Sequence, residues 1–299
     1  MVSNSIYAAI AKEGGGAAAN AGFVDLGEKV IVFDTFNTQQ ASQDLKLLAE
    51  STTNQPVTWV INSHWHGDHI RGNQTFKDRM IISSESTYTK MKDVHPSRIA
   101  AQKNDMNGLT NYIQSLKDQL VQNTDAQQLQ YQINFLSELK SSLPTLELVL
   151  PNQTFKDEVT FHGKKQSATL FTLGGGHSSC DAMLYIPDEK VIFMGDLLFV
   201  DCHPTFFEES NLEHWATILK KVMLMEIDVA VPGHGSAGTK EDISKVIHYL
   251  SDLTAIVRGS HSIEEIKIPA KYSDWSSSDV FLQNIKIVEA LLNKGTPIL

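Results

Sequence analysis

His64-Trp65-His66-Gly67-Asp68-His69 is the stretch that decides the fold. Four side chains able to ligate a metal fall within these six positions. They follow Val57 to Asn62 directly, an apolar run rich in β-branched residues that predicts a buried strand. His64 and His66 are two apart, so in an extended segment their imidazoles point the same way and a strand end can offer both to one ion. Asp68 and His69 come at the next bend and can face a second ion. Gly67 lets the chain turn between the pairs. Neutral imidazole and carboxylate are good zinc ligands.

One loop cannot close two coordination shells. Three more predicted strands run into a glycine-bearing turn and then a ligand-type residue. Ala168 to Leu173 leads to Gly174-Gly175-Gly176-His177, Lys190 to Met194 to Gly195-Asp196, and Ile227 to Val231 to Pro232-Gly233-His234-Gly235. Ligands beyond strand carboxyl ends are where folds of α/β type build sites.

Working outward, Asn20 to Thr35 predicts a hairpin broken at Gly27-Glu28. The small-residue stretch Gly14 to Ala19 before it is a loop or a flap over a pocket. No Gly-Lys-Ser/Thr ending follows, so it is not a phosphate cradle. Ser42 to Glu50 predicts a helix and Met80 to Ser83 a strand. From about 85 to 144 the chain is polar, with apolar residues at helical intervals from Leu109 to Leu120 and from Leu129 to Leu143. These predict an inserted helical hairpin with its break at Asn123 to Asp125. It packs on the core, or serves as a lid or dimer surface. Strands return at Val159 to His162 and Ala182 to Ile186. Helices are predicted over Leu212 to Met223, Lys240 to Val257 and Ser277 to Leu292. No linker divides the chain, so a single domain over 1–299 is expected.

The 299 residues, 41% of them hydrophobic, suffice for a large core. The net charge of −10 argues against a nucleic-acid partner and against an anionic membrane surface. No apolar run reaches the roughly 18–20 residues of a membrane-spanning helix. Only Cys180 and Cys202 are present, with no CxxC spacing, and Met1 to Ala11 lacks a secretory pattern. A cytoplasmic, reducing location is expected.

The whole set resembles the metallo-β-lactamase superfamily of hydrolases, over roughly Asn20 to Ser236. The resemblance implies an α+β fold, a four-layer αβ/βα sandwich with two mixed β-sheets packed face to face and helices outside. It also implies two divalent ions, zinc first, with iron or manganese as alternatives. His64, His66 and His177 would hold one ion, and Asp68, His69 and His234 the other. Asp196 would bridge them. Asp196 and His69 together resemble the glyoxalase II and lactonase branches. Gly195 to Phe199 with Pro232 to Gly235 looks most like a broad group of unassigned bacterial hydrolases.

The expected chemistry is hydrolysis of a small thioester, ester, lactone or amide by a metal-bridging hydroxide, with Asp68 orienting the nucleophile and passing its proton on. The rival functions are a nuclease or phosphodiesterase with the same centre, and a non-catalytic metal protein. Asp181 is the candidate to fix imidazole tautomers, with Asp34 a further one. Phe199, His203, Pro204 and Phe206 are expected near the pocket, and Trp65 as wall packing. Ser178 to Cys180 are turn residues. His95, His162, His214, His248 and His261 are expected to be structural. A small-molecule substrate is the expected partner, and a homodimer is possible.

Overall fold

The computed structural model describes residues 1–122, 126–260 and 262–293. The predicted helix break at Asn123 to Asp125 and His261 lie outside the described residues. The chain divides into two compact units, the first mainly Ser5–Lys156 with Gly163–Lys165, the second mainly Asp157–His162 and Gln166–Leu299. Each contains one mixed β-sheet with helices, which makes the chain α+β.

The first unit runs β1 (Ile6–Ala9), β2 (Ala21–Asp25), β3 (Val30–Phe33), α1 (Gln39–Thr53), β4 (Val57–Ile61), α2 (Gly67–Ile70), β5 (Met80–Ser84), α3 (Glu85–Asn104), α4 (Met106–Gln122), α5 (Ala126–Ser142) and β6 (Gln153–Phe155). The strands lie in sequence order across the sheet. β1, β2 and β3 pair antiparallel, whereas β3, β4, β5 and β6 pair parallel. The parallel centre explains the unbroken apolar runs, since parallel strands are normally buried on both faces. Thr38 caps α1 by accepting the Ala41 amide, and Asn54 ends it in the left-handed region at φ 54°. α1 buries Ser42, Leu45 and Ala49, and Leu45 and Ala49 join Phe23, Val32, Val60 and Phe76 in one core cluster.

The insertion differs from the expected hairpin: it holds three helices, not two. α3 was illegible because its buried stripe is Thr87, Met91, His95 and Ile99. The four-residue spacing is helical, but two of the four are polar, so apolar periodicity is absent. α4 and α5 bury Ile113, Leu116 and Ile133 in one cluster, as their spacing predicts. β1 and β6 were also unread, each being too short to carry an alternation.

The second unit runs β7 (Glu158–His162), β8 (Ser167–Thr172), β9 (Ala182–Ile186), β10 (Val191–Phe199), α6 (Leu212–Val222), β11 (Val229–His234), α7 (Lys240–Gly259) and α8 (Val280–Asn293). Its sheet order is β11-β10-β9-β8-β7, antiparallel except for the parallel β10–β11 pair. Asn211 caps α6, and Thr239 with Asp242 forms a capping box on α7. The core gathers Leu197, Trp215, Leu219, Tyr249, Leu253 and Phe281. Among the described residues no helix is long and apolar enough to cross a membrane.

Candidate metal centre

In the first unit the ligand-type residues follow β4 and open α2. His64 is 1% exposed and His69 is fully buried, which demands a partner for every ring nitrogen. Asp34, just past β3, supplies much of this. Its carboxylate accepts the Ser63 amide at 2.8 Å and the Ser63 hydroxyl at 2.7 Å, and lies 2.7 Å from His69 Nδ1. Ser63 Oγ is also 2.9 Å from His64 Nδ1.

The protons can be assigned by counting. The Ser63 hydroxyl has one proton, and Asp34 takes it, so His64 Nδ1 must donate to Ser63 Oγ. His69 Nδ1 donates to Asp34. Each neutral ring is then left with its lone pair on Nε2, the form that ligates a metal. His64 Nε2 lies 3.0 Å from His66 Nδ1, so two ring nitrogens face one point, as the i, i+2 spacing requires. Asp68 Oδ2 is 3.7 Å from His69 Nε2, and its side chain is partly exposed.

Asp34 holds φ at 60°, in the left-handed region, where a non-glycine residue is uncommon and strain tends to mark function. Burial pushes its carboxyl pKa up, while His69 and Ser63 pull it back. Thr35 donates its amide and hydroxyl to the His69 carbonyl, and paired Asn62 and Asn73 side chains brace the same turn.

The insertion also reaches this loop, a role absent from the sequence reading. His95 on α3 donates from Nε2 to the Trp65 carbonyl at 2.6 Å. Burial lowers its pKa, which keeps the ring neutral. Trp65 is buried as expected, its ring 4.7 Å from that of His66. Arg71 donates to Asn37 at 3.3 Å and to Gln102 of α3 at 2.7 Å. The only sequence signal for His95 was its place in the four-residue stripe of α3. Gly16 of the small-residue loop donates its amide to Glu138 of α5 at 2.7 Å, so that loop is tied to the insertion.

In the second unit His177 is fully buried on the turn after β8. Asp181 builds that turn: it accepts the Gly176 amide at 2.7 Å, the Ser178 amide at 3.1 Å and the Ser178 hydroxyl at 2.6 Å. It therefore fixes the backbone that carries His177. Burial raises its carboxyl pKa to about 7 against these hydrogen bonds, with the Asp196 charge adding to the rise. His214, expected to be structural, lies with Nδ1 2.8 Å from the Gly175 carbonyl, and Ser210 donates to the His177 carbonyl at 2.6 Å.

Asp196 does not stand in a turn as expected. β10 continues through it to Phe199, with register shifts against β11 on both sides of Gly195. The irregularity aims a buried carboxylate at two rings. Asp196 Oδ2 is 3.3 Å from His177 Nε2, and Oδ1 is 3.4 Å from His234 Nε2. Phe199 stacks on His234 at 5.1 Å and lies 5.9 Å from His177. His203 is 1% exposed, with Nδ1 2.9 Å from the Tyr249 hydroxyl and Trp275 and Phe281 against its ring. Phe206 is fully buried beside Trp215 and Tyr249, in the core.

Gly233 is sterically required. A Cβ there would stand 1.9 Å from Asp196 Oδ1 and 2.8 Å from the Gly195 carbonyl carbon. Gly233→Ala is expected to displace the carboxylate, costing about 1–3 kcal/mol of stability from overpacking. Thermal melting and the metal content of the purified variant check this. Unchanged values for both would refute the steric assignment.

The family model of the metallo-beta-lactamase superfamily matches residues 14–234. Among solved structures, a metallo-beta-lactamase from Pontibacter korlensis is similar with a TM-score of 0.55 and 19% identity, covering 78% of this chain and 87% of that one. The crystal structure of VMB-1 is similar with a TM-score of 0.52 and 16% identity, covering 77% of this chain and 83% of that one. At these identities the two structures speak for the fold alone. The family match spans β2 to β11 and all seven ligand-type residues from His64 to His234, and on it the chain belongs to the metallo-beta-lactamase superfamily.

Proposed function

We propose that the chain is a metal-dependent hydrolase of a small carbonyl substrate: a thioester, ester, lactone or amide. In this proposal His64, His66, His177 and Asp196 form one ligand group, and Asp68, His69 and His234 the other. The observation that carries it is Asp196, whose two oxygens each face a different imidazole, His177 and His234. A carboxylate so placed can serve two cations at once.

The donor set fits the ions. It is imidazole and carboxylate, the choice of zinc, and iron and manganese suit it too. The proton count puts the lone pair of His64 and of His69 on Nε2, the form that ligates a metal. Divalent ions held there would supply Lewis-acid chemistry, acidifying a water and polarising a carbonyl. The chain's own groups do the rest. Asp68, partly exposed where its neighbours are buried, is placed to orient a water and carry a proton away. Asp34 and Ser63 hold the tautomers, while Asp181 holds the His177 turn. Asp196 with His69 favours the glyoxalase II and lactonase type over lactamases proper.

Elemental analysis of the purified protein, followed by a hydrolysis screen over thioesters, esters, lactones and β-lactams, tests the proposal. Two ions per chain are expected. Chelation should lower kcat at least about a hundredfold, with recovery on adding zinc. Activity untouched by complete metal removal, or fully loaded protein inert towards the whole panel, would overturn it.

A further inference from the structure

The first helix of the insertion meets the ligand loop along one face. His95, Arg98 and Gln102 follow one another at three and four residues on α3, so their side chains share a side of it. His95 Nε2 donates to the Trp65 carbonyl at 2.6 Å, and the two rings lie 5.8 Å apart. The Arg98 guanidinium lies 4.8 Å from the Trp65 ring centroid. Gln102 accepts from Arg71 at 2.7 Å, and Arg71 packs against Gly67, where an added Cβ would stand 2.9 Å from its Nε.

The Trp65 carbonyl belongs to the peptide plane that joins Trp65 to His66. Rotating that plane changes ψ of Trp65 and φ of His66 together. Such a rotation turns the His66 ring away from the point it shares with His64, where Nδ1 of one lies 3.0 Å from Nε2 of the other. A hydrogen bond on this oxygen therefore sets the angle between the two ligands. A carbonyl can only accept, so His95 keeps its proton on Nε2. Its Nδ1 is then a lone pair, buried with no hydrogen-bond partner among the described residues. His95 is 2% exposed, in a buried stripe with Met91 and Ile99. An apolar ring would fill that place without stranding a nitrogen. What the histidine adds is the donor to Trp65.

The other end of the loop is braced from elsewhere. Thr35 donates its amide and its hydroxyl to the His69 carbonyl at 2.9 and 3.1 Å, and the Asn62 and Asn73 side chains pair beside it. None of these residues belongs to α3.

We propose that His95 is a positioning residue for the His64 and His66 pair, so that the insertion is part of the metal centre and governs the affinity of one ion independently of the other. The inference rests on the two-ion reading of the hydrolase proposal, and not on its substrate.

Calorimetric zinc titration of the metal-free full chain tests it. Wild type should bind two ions. His95→Phe keeps a ring and loses the donor. It should weaken one ion about 10–100-fold, the usual cost of losing a group that orients a ligand, and leave the other within about threefold. His95→Gln places an amide nitrogen near the position of Nε2 and should restore most of the affinity. His95→Asn, whose amide falls short of Trp65, should not. The same His95→Phe loss is expected in Asp68→Ala, which spares the His64 and His66 pair, and not in His66→Ala, which breaks it. Thermal melting of the metal-free variants separates a folding role: the lost hydrogen bond and the relieved Nδ1 oppose one another, so His95→Phe should melt close to wild type. Should His95→Phe fail to fold, the contrast between His95→Gln and His95→Asn carries the test. Equal weakening of both ions, weakening of neither, or no recovery in His95→Gln would overturn the inference. If wild type binds two ions and cleaves nothing in the panel, the hydrolase proposal falls and the titration still decides the role of His95. If it binds fewer than two, the inference falls with the two-ion reading.

Discussion

Asp196→Ala is expected to bind metal more than a hundredfold more weakly and to lose hydrolysis in proportion. Loss of a group that merely supports a ligand typically costs about 10–100-fold in metal affinity or activity, and Asp196 is proposed as a ligand itself. Its two oxygens stand 3.3 Å from His177 Nε2 and 3.4 Å from His234 Nε2, so on the proposed two-ion reading removing it takes a donor from each ion. Elemental analysis should fall from two ions per chain to one or fewer. Asp196→Asn should fail similarly, because its amide nitrogen cannot replace the second oxygen. The metal-free proteins separate this role from a structural one. Without cations, Asp196 is a buried carboxylate whose charge raises the pKa of buried Asp181. Relief of that repulsion opposes the loss of the His177 and His234 contacts, so metal-free Asp196→Ala should melt close to metal-free wild type. A variant that kept both ions and full activity would contradict the bridging role.

Asp34→Asn is expected to cost about 10–100-fold in metal affinity, although Asp34 is not among the proposed ligands. Its carboxylate takes three donors: the Ser63 amide, the Ser63 hydroxyl and His69 Nδ1. A carboxamide has one accepting oxygen, so in either orientation a donor meets an NH₂ group. If the NH₂ faces Ser63 Oγ and His69, the proton pattern that puts the lone pair of both histidines on Nε2 is lost. Asparagine tolerates the left-handed backbone at φ 60°, so the fold should survive the exchange. Asp34→Ala is the harsher change. It leaves buried donors unpaired at about 1–3 kcal/mol each and forces alanine into the left-handed region. Calorimetric zinc titration of Asp34→Asn beside a thermal melt checks the prediction. Wild-type zinc affinity in that variant would refute the tautomer argument.

The hexad His64 to His69 was legible because its logic is local. Two histidines at i and i+2 after a strand share a direction whatever surrounds them. The same holds for the apolar runs of β4, β8, β10 and β11, whose composition follows from burial in a sheet. Asp196 was legible as a residue type at a strand, but not as a residue within one. The register slip between β10 and β11 that aims it depends on Gly195 and Gly233 fitting together, which is a property of the pair.

His203 shows where a long-range cluster enters. Seven residues from Asp196, it was expected near the pocket, yet its ring packs with Tyr249 and Trp275 from much later in the chain. Sequence neighbourhood says little about a loop residue once a distant aromatic cluster can bury it. The insertion was legible only where its stripe was apolar, in α4 and α5.

By itself, then, the sequence determined which side chains could ligate, their order, and the strands that end beside them, because spacing and burial are written into short windows. Only the tertiary structure decided which proton each imidazole keeps, where Asp196 points, and that α3 supports the loop through His95 and brings Arg98 to it. Those outcomes depend on partners 29 to 38 residues apart, Asp34 with Ser63 and His69, His95 with Trp65 and Gly195 with Gly233, and no local pattern encodes such pairings.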